Sequence, residues 1–191
     1  MQKKFNLEDI ADVCGASLKK NVLSFGVDVA EIKTGLCLLR TDDKNLYIDG
    51  LYVLKMSRNT KELHQTIDKY IGEAIKIREQ LEKDSKPEVK VRILTIEDCW
   101  FGKNVWTLKI LAKFAVVVYL VFKKWATFAP NPIQPKTARC RVGFKKDAEG
   151  PSDIKKQIHA FLVDEMGVEI DDEDLADGFV LALAGLVEVE E

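Results

Sequence analysis

Residues 22–28 read Val22-Leu23-Ser24-Phe25-Gly26-Val27-Asp28, a mostly apolar run that stops on an acidic residue. A short apolar run of this kind, rich in branched and aromatic side chains, favours a buried strand. The carboxylate that ends it would lie at the rim of the sheet. This stretch therefore predicts a buried strand that delivers an acidic group to the rim of a β-sheet.

The segments downstream predict two more strands, a long helix and a fourth strand. Strands are expected at residues 35–40 and 46–54, joined by the polar turn at 42–45. Because the links are short, these strands form an antiparallel meander with the first. Apolar residues at helical spacing predict a helix over 60–82. The strand at 89–96 follows that helix and is therefore expected to run parallel to its neighbour.

The second half of the chain predicts mainly helices. They are expected at residues 104–122, 151–163 and 174–186, with an extended, proline-containing stretch at 126–134. The latter half of the first of these is apolar on nearly all sides, so either the core or a dimer partner covers it. The complete order predicts an α/β protein with an RNase H-like mixed five-stranded sheet, three antiparallel strands then parallel strands, flanked by helices on both faces.

The N-terminal residues predict a short helix outside this sheet. The helix is expected at residues 6–13, and residues 10–17 have the pattern of the first helix and turn of a helix-turn-helix. A strand follows instead of a recognition helix, so a packing appendage is the alternative. We expect an N-terminal helical extension, residues 1–21, attached to an RNase H-like domain formed by residues 22–191.

Composition narrows the class of protein. The chain of 191 residues is 47% hydrophobic and 31% charged, which is ordinary for a folded globular protein and excludes a mainly disordered one. Four scattered cysteines without a CxxC pair, together with two histidines, exclude a disulfide scaffold and a structural zinc site. No secretory signal is visible, and the longest apolar run is shorter than the roughly 20 residues of a membrane helix. We expect a cytoplasmic protein, in the host cell if it is viral.

Acidic and basic residues are unevenly distributed along the chain, although the net charge is close to zero. The formal net charge of -2, taken alone, disfavours nucleic acid as a partner, since domains that bind it are usually basic. Residues 157–191 hold 11 of the 31 acidic residues and no lysine or arginine. Residues 1–156 therefore hold 29 basic residues against 20 acidic ones, a net charge of +9. This body of the chain is compatible with contact to phosphates.

Four acidic residues could form a metal site. Asp28 and Glu97 each end a predicted strand, and Asp174 and Asp177 share one face of a predicted helix. Taken singly, each has a plain alternative as a solvated turn residue or a helix N-terminal acid. Together they could converge into an oxygen-only cluster that suits Mg²⁺ or Mn²⁺. Two such ions about 4 Å apart are a common arrangement for phosphodiester hydrolysis.

Four stretches in this order resemble the RuvC family of Holliday junction resolvases, within the RNase H-like and retroviral integrase superfamily. They are Phe25-Gly26-Val27-Asp28 with Thr34-Gly35, residues 96–104, residues 135–143, and Asp174-Leu175-Ala176-Asp177 with the apolar residues that follow. The chain resembles a diverged member, of a type also found in phages. Where the family has Pro-Gly after its first aspartate, this sequence has Val29-Ala30-Glu31, and residues 1–21 are additional.

The resemblance implies a homodimer that binds a four-way DNA junction and nicks two strands symmetrically. It implies two Mg²⁺ ions per active site, with Mn²⁺ able to substitute. The implied catalytic residues are the ligands Asp28, Glu97, Asp174 and Asp177, together with Lys136 near the scissile phosphate. The residues expected to contact DNA are Trp100, Phe101, Lys103, Asn104, Lys109, Lys136, Arg139, Arg141, Lys145, Lys146 and Lys155.

Several assignments stay open at this point. The basic residue nearest the scissile phosphate could be Lys145, Lys146, Lys155 or Lys156, with Lys155 preferred. Trp100 could stack on an unpaired base or pack in the core, and Phe101 could take its place. For the basic residues, a solvated surface is the alternative to a DNA contact.

Other functions fit the same pattern in part. Another RNase H-like nuclease would act on branched DNA or on RNA–DNA hybrids, and a non-catalytic module would bind junctions without metal. An actin-like ATP-binding domain also opens with a Gly-hydrophobic-Asp strand. That domain needs a glycine-rich turn to accommodate phosphate, and residues 28–33 contain no glycine.

Overall fold

A computed structural model describes residues 3–30, 32–55, 63–98, 105–145 and 151–189 of the protein. These residues form one mixed sheet of six strands in the order β1-β4-β3-β2-β5-β6. The strands are β1 (Lys3–Asn6), β2 (Val22–Asp28), β3 (Lys33–Thr41), β4 (Asn45–Lys55), β5 (Val91–Glu97) and β6 (Asn131–Ile133).

Strands β2 and β5 are neighbours in the sheet and run parallel, with Val27 opposite Ile96. Because both strands end one residue later, Asp28 and Glu97 lie side by side at the same rim. The strands on the other side of β2 are antiparallel, β3 to β2 and β4 to β3, as the short links predicted. β6 pairs parallel to β5 and lies within the predicted extended stretch. The mixed sheet expected from the sequence is therefore confirmed.

The sheet has one strand more than the five expected. Lys3–Asn6 forms the edge strand β1 and pairs antiparallel with β4. Its sequence, KKFN, has too little apolar alternation to be recognised as a strand. Backbone hydrogen bonds to β4 hold it in place, and Phe5 is the one residue of β1 that packs against the apolar cluster.

Helices cover both faces of this sheet. They are α1 (Leu7–Cys14), α2 (Leu63–Asp84), α3 (Val105–Phe122), α4 (Pro135–Arg141), α5 (Pro151–Asp164) and α6 (Glu173–Leu186). One apolar cluster joins α2 and α3 to one face, and a second joins α1, α4, α5 and α6 to the other. The short helix α4 was not predicted. It begins with Pro135 at its first turn, where proline is well tolerated.

Alternation along β2 divides its side chains between the two layers. Phe25 and Val27 point into the α2–α3 cluster, whereas the Ser24 hydroxyl donates to the carbonyl oxygen of Ala182 in α6. Two-residue periodicity then places Gly26 and Asp28 on the α6 face as well. The central strand thus aims its terminal carboxylate toward α6.

Helix α6 lies unusually close to the sheet, since glycines line the contact. A Cβ atom at Gly26 would overlap the backbone of Gly178 and Ala182, and one at Gly35 would overlap the carbonyl oxygen of Asp174. This close approach brings the first turn of α6 down to the level of the strand ends.

The N-terminal segment is packed onto the α6 face. Leu7, Ile10, Cys14 and Leu18 are buried in the apolar cluster of that face. Helix α1 ends at Gly15 in the left-handed conformation, and within the described residues the chain then enters β2 without forming a recognition helix. The boundary proposed at residue 21 stays a prediction about domain organisation. None of the described helices combines the length and the apolar character needed to cross a membrane.

Candidate functional site

Carboxylates from three elements meet at the rim where β2 and β5 end. Asp28 of β2, Glu97 of β5 and Asp177 of α6 line one cleft, together with Arg139 of α4. The strand register brings the first two together, and the glycine contacts of α6 bring the third. Three of the four sequence-predicted acids therefore share this cleft, as the strand ends and the helix spacing led us to expect.

The Asp28 and Glu97 carboxyl groups are hydrogen-bonded to each other. Burial raises the pKa of Asp28 well above its usual value, and the adjacent Glu97 raises it further. Burial also raises the pKa of Glu97, while its hydrogen bond with Asp28 acts in the opposite direction. Two buried carboxylates in contact cannot both ionise cheaply, so without a cation the pair retains a proton, mainly on Asp28.

Asp177 completes the cleft from the helix side. Burial, and then the charge of Asp28, raise the pKa of Asp177 to about 6, although Arg139 opposes the shift. The Arg139 guanidinium lies 3.5 Å from the Asp177 carboxylate. A raised pKa on an acid beside two others indicates a site with an excess of negative charge, which a bound cation would relieve.

Asp174, one turn earlier on α6, lies between two lysines. Its carboxylate is 3.2 Å from the Lys155 ammonium of α5 and 3.4 Å from the Lys33 ammonium of β3. Lys155 also lies 3.6 Å from Glu173 and 4.0 Å from Asp177. A single ammonium group therefore contacts three carboxylates of the first turns of α6.

Asp172 fixes the start of α6 as its N-cap. Its side chain accepts hydrogen bonds from the backbone N–H groups of Asp174 and Leu175, at 3.1 and 3.3 Å. Its second carboxylate oxygen forms an ion pair with Lys33. Sequence reasoning missed both Asp172 and Lys33, although an aspartate two residues before the Asp-x-x-Asp pair is a recognisable N-cap signal.

The donor chemistry of this site fits a hard divalent cation. Every acidic group is an oxygen donor, and the pKa values of Asp28, Glu97 and Asp177 are raised first by burial and then by the neighbouring carboxylates. Among the described residues, no three acidic, histidine or cysteine side chains are arranged as a ready coordination shell. Lys155 and Arg139 occupy positions between the carboxylates instead. Binding of a metal would require these cations to move aside.

The structure separates the predicted basic residues into two groups. Arg139 and Lys155 reach into the carboxylate cluster, and of the lysines considered nearest to the scissile phosphate, Lys155 contacts the acids. The others have no such position: Lys109 of α3, Lys136 of α4, and Lys145 and Lys156 are exposed, and Arg141 is half-buried beside Lys19. Trp100, Phe101, Lys103, Asn104 and Lys146 lie outside the described residues.

Helix α3 presents an apolar stripe to solvent. Val116, Tyr119 and Leu120 are 56%, 42% and 54% exposed, respectively. The opposite side of the same helix buries Phe114, Val118 and Phe122 in the core. The core thus covers one side of α3 and leaves the other uncovered, which is unusual for residues this apolar.

Comparison with known proteins was made by sequence and by structure. No protein-family model and no curated protein matches the sequence. Among solved structures, Thermus thermophilus RuvC is similar with a TM-score of 0.60 and 12% identity, over 85% of this chain and 91% of that one. The same enzyme in complex with a Holliday junction substrate gives a TM-score of 0.59 and 11% identity, over 85% of this chain and 90% of that one.

The yeast mitochondrial Holliday junction resolvase is a third structural neighbour. Its TM-score is 0.50 with 10% identity, over 93% of this chain and 84% of that one. At 10–12% identity these likenesses establish the fold, which is RuvC-like.

Proposed function

We propose that this protein is a metal-dependent endodeoxyribonuclease that resolves four-way DNA junctions. One observation carries the proposal: Asp28, Glu97 and Asp177 line one cleft where the parallel strands β2 and β5 of a RuvC-like fold end, and Asp174 lies one turn earlier on α6. An oxygen-only cluster at this position has the chemistry of a phosphodiester hydrolase. The neighbours, named as Holliday junction resolvases or bound to such a junction, support the choice of substrate.

The four acids would hold two Mg²⁺ ions, for which Mn²⁺ would substitute. Bound there, these ions would supply water activation and stabilisation of the leaving oxygen. Asp28 and Glu97 would give up their shared proton to become ligands, and the closeness of α6 would hold Asp174 and Asp177 opposite them. Arg139 and Lys155, once free of the carboxylates, would be placed to bind the phosphate that is cut.

The remaining predicted contacts would lie on the DNA-binding surface. Lys109, Lys136 and Lys145 are exposed and free to pair with backbone phosphates. Trp100, Phe101, Lys103, Asn104 and Lys146 stay candidates from the sequence, as does the half-buried Arg141. Paired, symmetric nicks would require a homodimer, and the exposed stripe of Val116, Tyr119 and Leu120 supports one.

A nicking assay on an end-labelled four-way junction tests this proposal. We expect cleavage near the branch point only when Mg²⁺ or Mn²⁺ is added, and paired cuts on opposite strands. A flap, a linear duplex and an RNA–DNA hybrid serve as comparison substrates. Preferential cutting of the hybrid would replace the proposal with a ribonuclease H activity, and binding of the junction without any cleavage would replace it with a non-catalytic module.

A further inference from the structure

Lys33, the first residue of β3, makes contacts that a surface lysine would not need. Its ammonium group forms an ion pair with Asp172 and lies 3.4 Å from the Asp174 carboxylate. These partners are 139 and 141 residues away along the chain. The side chains of Lys33 and Asp172 are only partly exposed, at 30% and 31%, respectively.

The position of Lys33 beside a helix N-terminus would be electrostatically unfavourable without the neighbouring carboxylates. The N-terminus of a helix carries a partial positive charge, so a cation there is repelled by the helix itself. Asp172 offsets that repulsion, because it accepts the first N–H groups of α6 with one oxygen and pairs with Lys33 through the other. Lys33 therefore binds the cap of α6 and the first acid of the candidate metal site together.

The backbone of β3 holds the same turn of α6. Gly35, two residues after Lys33, lies so close to the Asp174 carbonyl oxygen that a Cβ atom would overlap it. Gly178 of α6 packs against the backbone of Gly35 in turn. Strand β3 thus fixes Asp174 twice, through its backbone and through its carboxylate.

The two lysines beside Asp174 differ in what else they hold. Lys155 contacts Glu173, Asp174 and Asp177, of which Asp177 lines the cleft. Lys33 also contacts the N-cap Asp172, which accepts a hydrogen bond from the helix backbone. A metal entering the cleft would compete with Lys155 for the carboxylates but would leave the pair between Lys33 and Asp172 in place.

We propose that Lys33 is a positioning residue that orients Asp174 for metal binding through the α6 N-cap. This inference rests on the proposed function, since it concerns the same site. It predicts that loss of Lys33 affects the metal site more than the fold, because a partly exposed ion pair contributes little to stability.

The direction in which metal affinity changes distinguishes a positioning role of Lys33 from the simple effect of its positive charge. Removing a positive charge beside a cation site should tighten metal binding by Coulomb's law alone. Losing the residue that orients a ligand should weaken it, typically by about tenfold or more. We therefore expect Lys33→Met to weaken Mn²⁺ binding to the full-length protein about tenfold in isothermal titration calorimetry.

Matched variants make the result specific. Lys55 lies opposite Lys33 in the β3–β4 register and is exposed, so Lys55→Met should leave Mn²⁺ affinity unchanged. Lys33→Arg should restore most of the affinity, since a guanidinium can bind both acids. Asp172→Asn keeps the N-cap acceptor but removes the ion pair, and should weaken Mn²⁺ binding in the same direction as Lys33→Met.

Kinetics on the junction add a second readout. With a positioning role, Lys33→Met should lower kcat while KM for the junction stays near the wild-type value. An unchanged or higher Mn²⁺ affinity in Lys33→Met would overturn the inference. A rise in KM alone would overturn it too, because it would make Lys33 a DNA contact.

Mn²⁺ titration of the wild type and of Asp174→Asn distinguishes failure of the metal site from failure of the positioning role of Lys33. If the wild type binds Mn²⁺, Asp174→Asn weakens this binding and Lys33→Met leaves it unimpaired, only the role of Lys33 is overturned. Absence of Mn²⁺ binding by the wild type would overturn the metal site and the positioning role together.

Discussion

At the scale of single residues, the sequence reveals the acids of the site and two of the cations beside them, Arg139 and Lys155, but not Lys33. Asp28 and Glu97 could be found because an acid that ends an apolar run must lie at a sheet rim. Asp174 and Asp177 could be found because residues three apart share a helix face. Lys33 pairs with residues about 140 positions away, and no local pattern marks such a contact.

Arg139 and Lys136 are both on α4, and the resemblance placed Lys136 near the scissile phosphate whereas the structure places Arg139 in the cleft. Arg139 reaches Asp177 in the cleft, whereas Lys136, three residues before it, is exposed on α4. We predict that Arg139→Met lowers kcat for junction cleavage about 100-fold, as for loss of a group that stabilises transition-state charge. Lys136→Met should instead weaken junction binding, with a smaller effect on kcat.

Single-turnover cleavage and equilibrium binding of the same labelled junction would measure both effects. Lys145→Met, a change at an exposed lysine just after α4, serves as the comparison for a general loss of positive charge. A larger loss of kcat in Lys136→Met than in Arg139→Met would contradict the geometry described for the cleft.

At the scale of elements, strong periodicity was predictable and short or irregular segments were not. The long helices α2 and α3 and the central strands differ from the expected bounds by only a few residues. β1 was missed because four residues with one aromatic side chain give no alternation. α4 was missed because the prolines around it favour extended structure, although Pro135 is accommodated in its first turn.

The contact between β3 and α6 predicts a large effect from a single methyl group. In Gly35→Ala, the new Cβ would overlap the Asp174 carbonyl oxygen and push the first turn of α6 away from the sheet. Overpacking at a buried contact typically costs about 1–3 kcal/mol. We expect a lower Tm and a loss of metal-dependent cleavage that exceeds the loss of folded protein.

Gly72 of α2 provides the matched control for this substitution. A Cβ there meets nothing within 4 Å, so Gly72→Ala should stabilise the helix by about 0.5–1 kcal/mol. Thermal unfolding of both variants should therefore shift in opposite directions. A Gly35→Ala protein with wild-type Tm and activity would show that α6 does not depend on this approach.

The turn between β3 and β4 predicts how stability depends on pH. The Asp42 carboxylate accepts hydrogen bonds from the backbone N–H of Lys44, the Tyr47 hydroxyl and Asn45, and these bonds lower the pKa of Asp42. Because the pKa is lower in the folded state, the stabilisation is complete above the unfolded value of 3.8 and is lost as pH falls toward the folded value.

Asp42→Asn tests this dependence. The variant should melt below the wild type at pH 7, and the difference should shrink as the pH falls below about 4. Thermal melts between pH 7 and pH 2.5 would measure it, with Asp68→Asn on the exposed side of α2 as the control. A difference in Tm that stays constant over this range would contradict the role of the carboxylate charge.

At the scale of the whole molecule, the near-neutral net charge results from a basic body and an acidic C-terminal part. Much of that acidity, in residues 172–177, lies in or beside the candidate site and is balanced locally by Lys33, Lys155 and Arg139. Composition alone could not show this, because it does not report which charges meet. Fold class followed from the order of the elements, and its agreement with RuvC supports that reasoning.

The apolar stripe of α3 predicts a dimer. We expect the protein to migrate at twice the chain mass of 21.6 kDa in size-exclusion chromatography with light scattering. Leu120→Glu should convert it to a monomer, because a charge buried in an apolar interface is costly. The comparison variant is Ile75→Glu, which places the same charge at an exposed apolar residue of α2. A monomeric wild type would refute this prediction.

Cleavage by Asp28→Asn is the most direct test of the central claim that the carboxylate cluster is a metal-dependent nuclease centre. The measurement compares Asp28→Asn with wild type and Asp68→Asn, scoring junction binding and Mg²⁺-dependent nicking in the same samples. We predict that Asp28→Asn binds the junction as the wild type does and cuts it at no detectable rate, while Asp68→Asn does both. An Asp28→Asn protein that binds and still cuts would contradict the account.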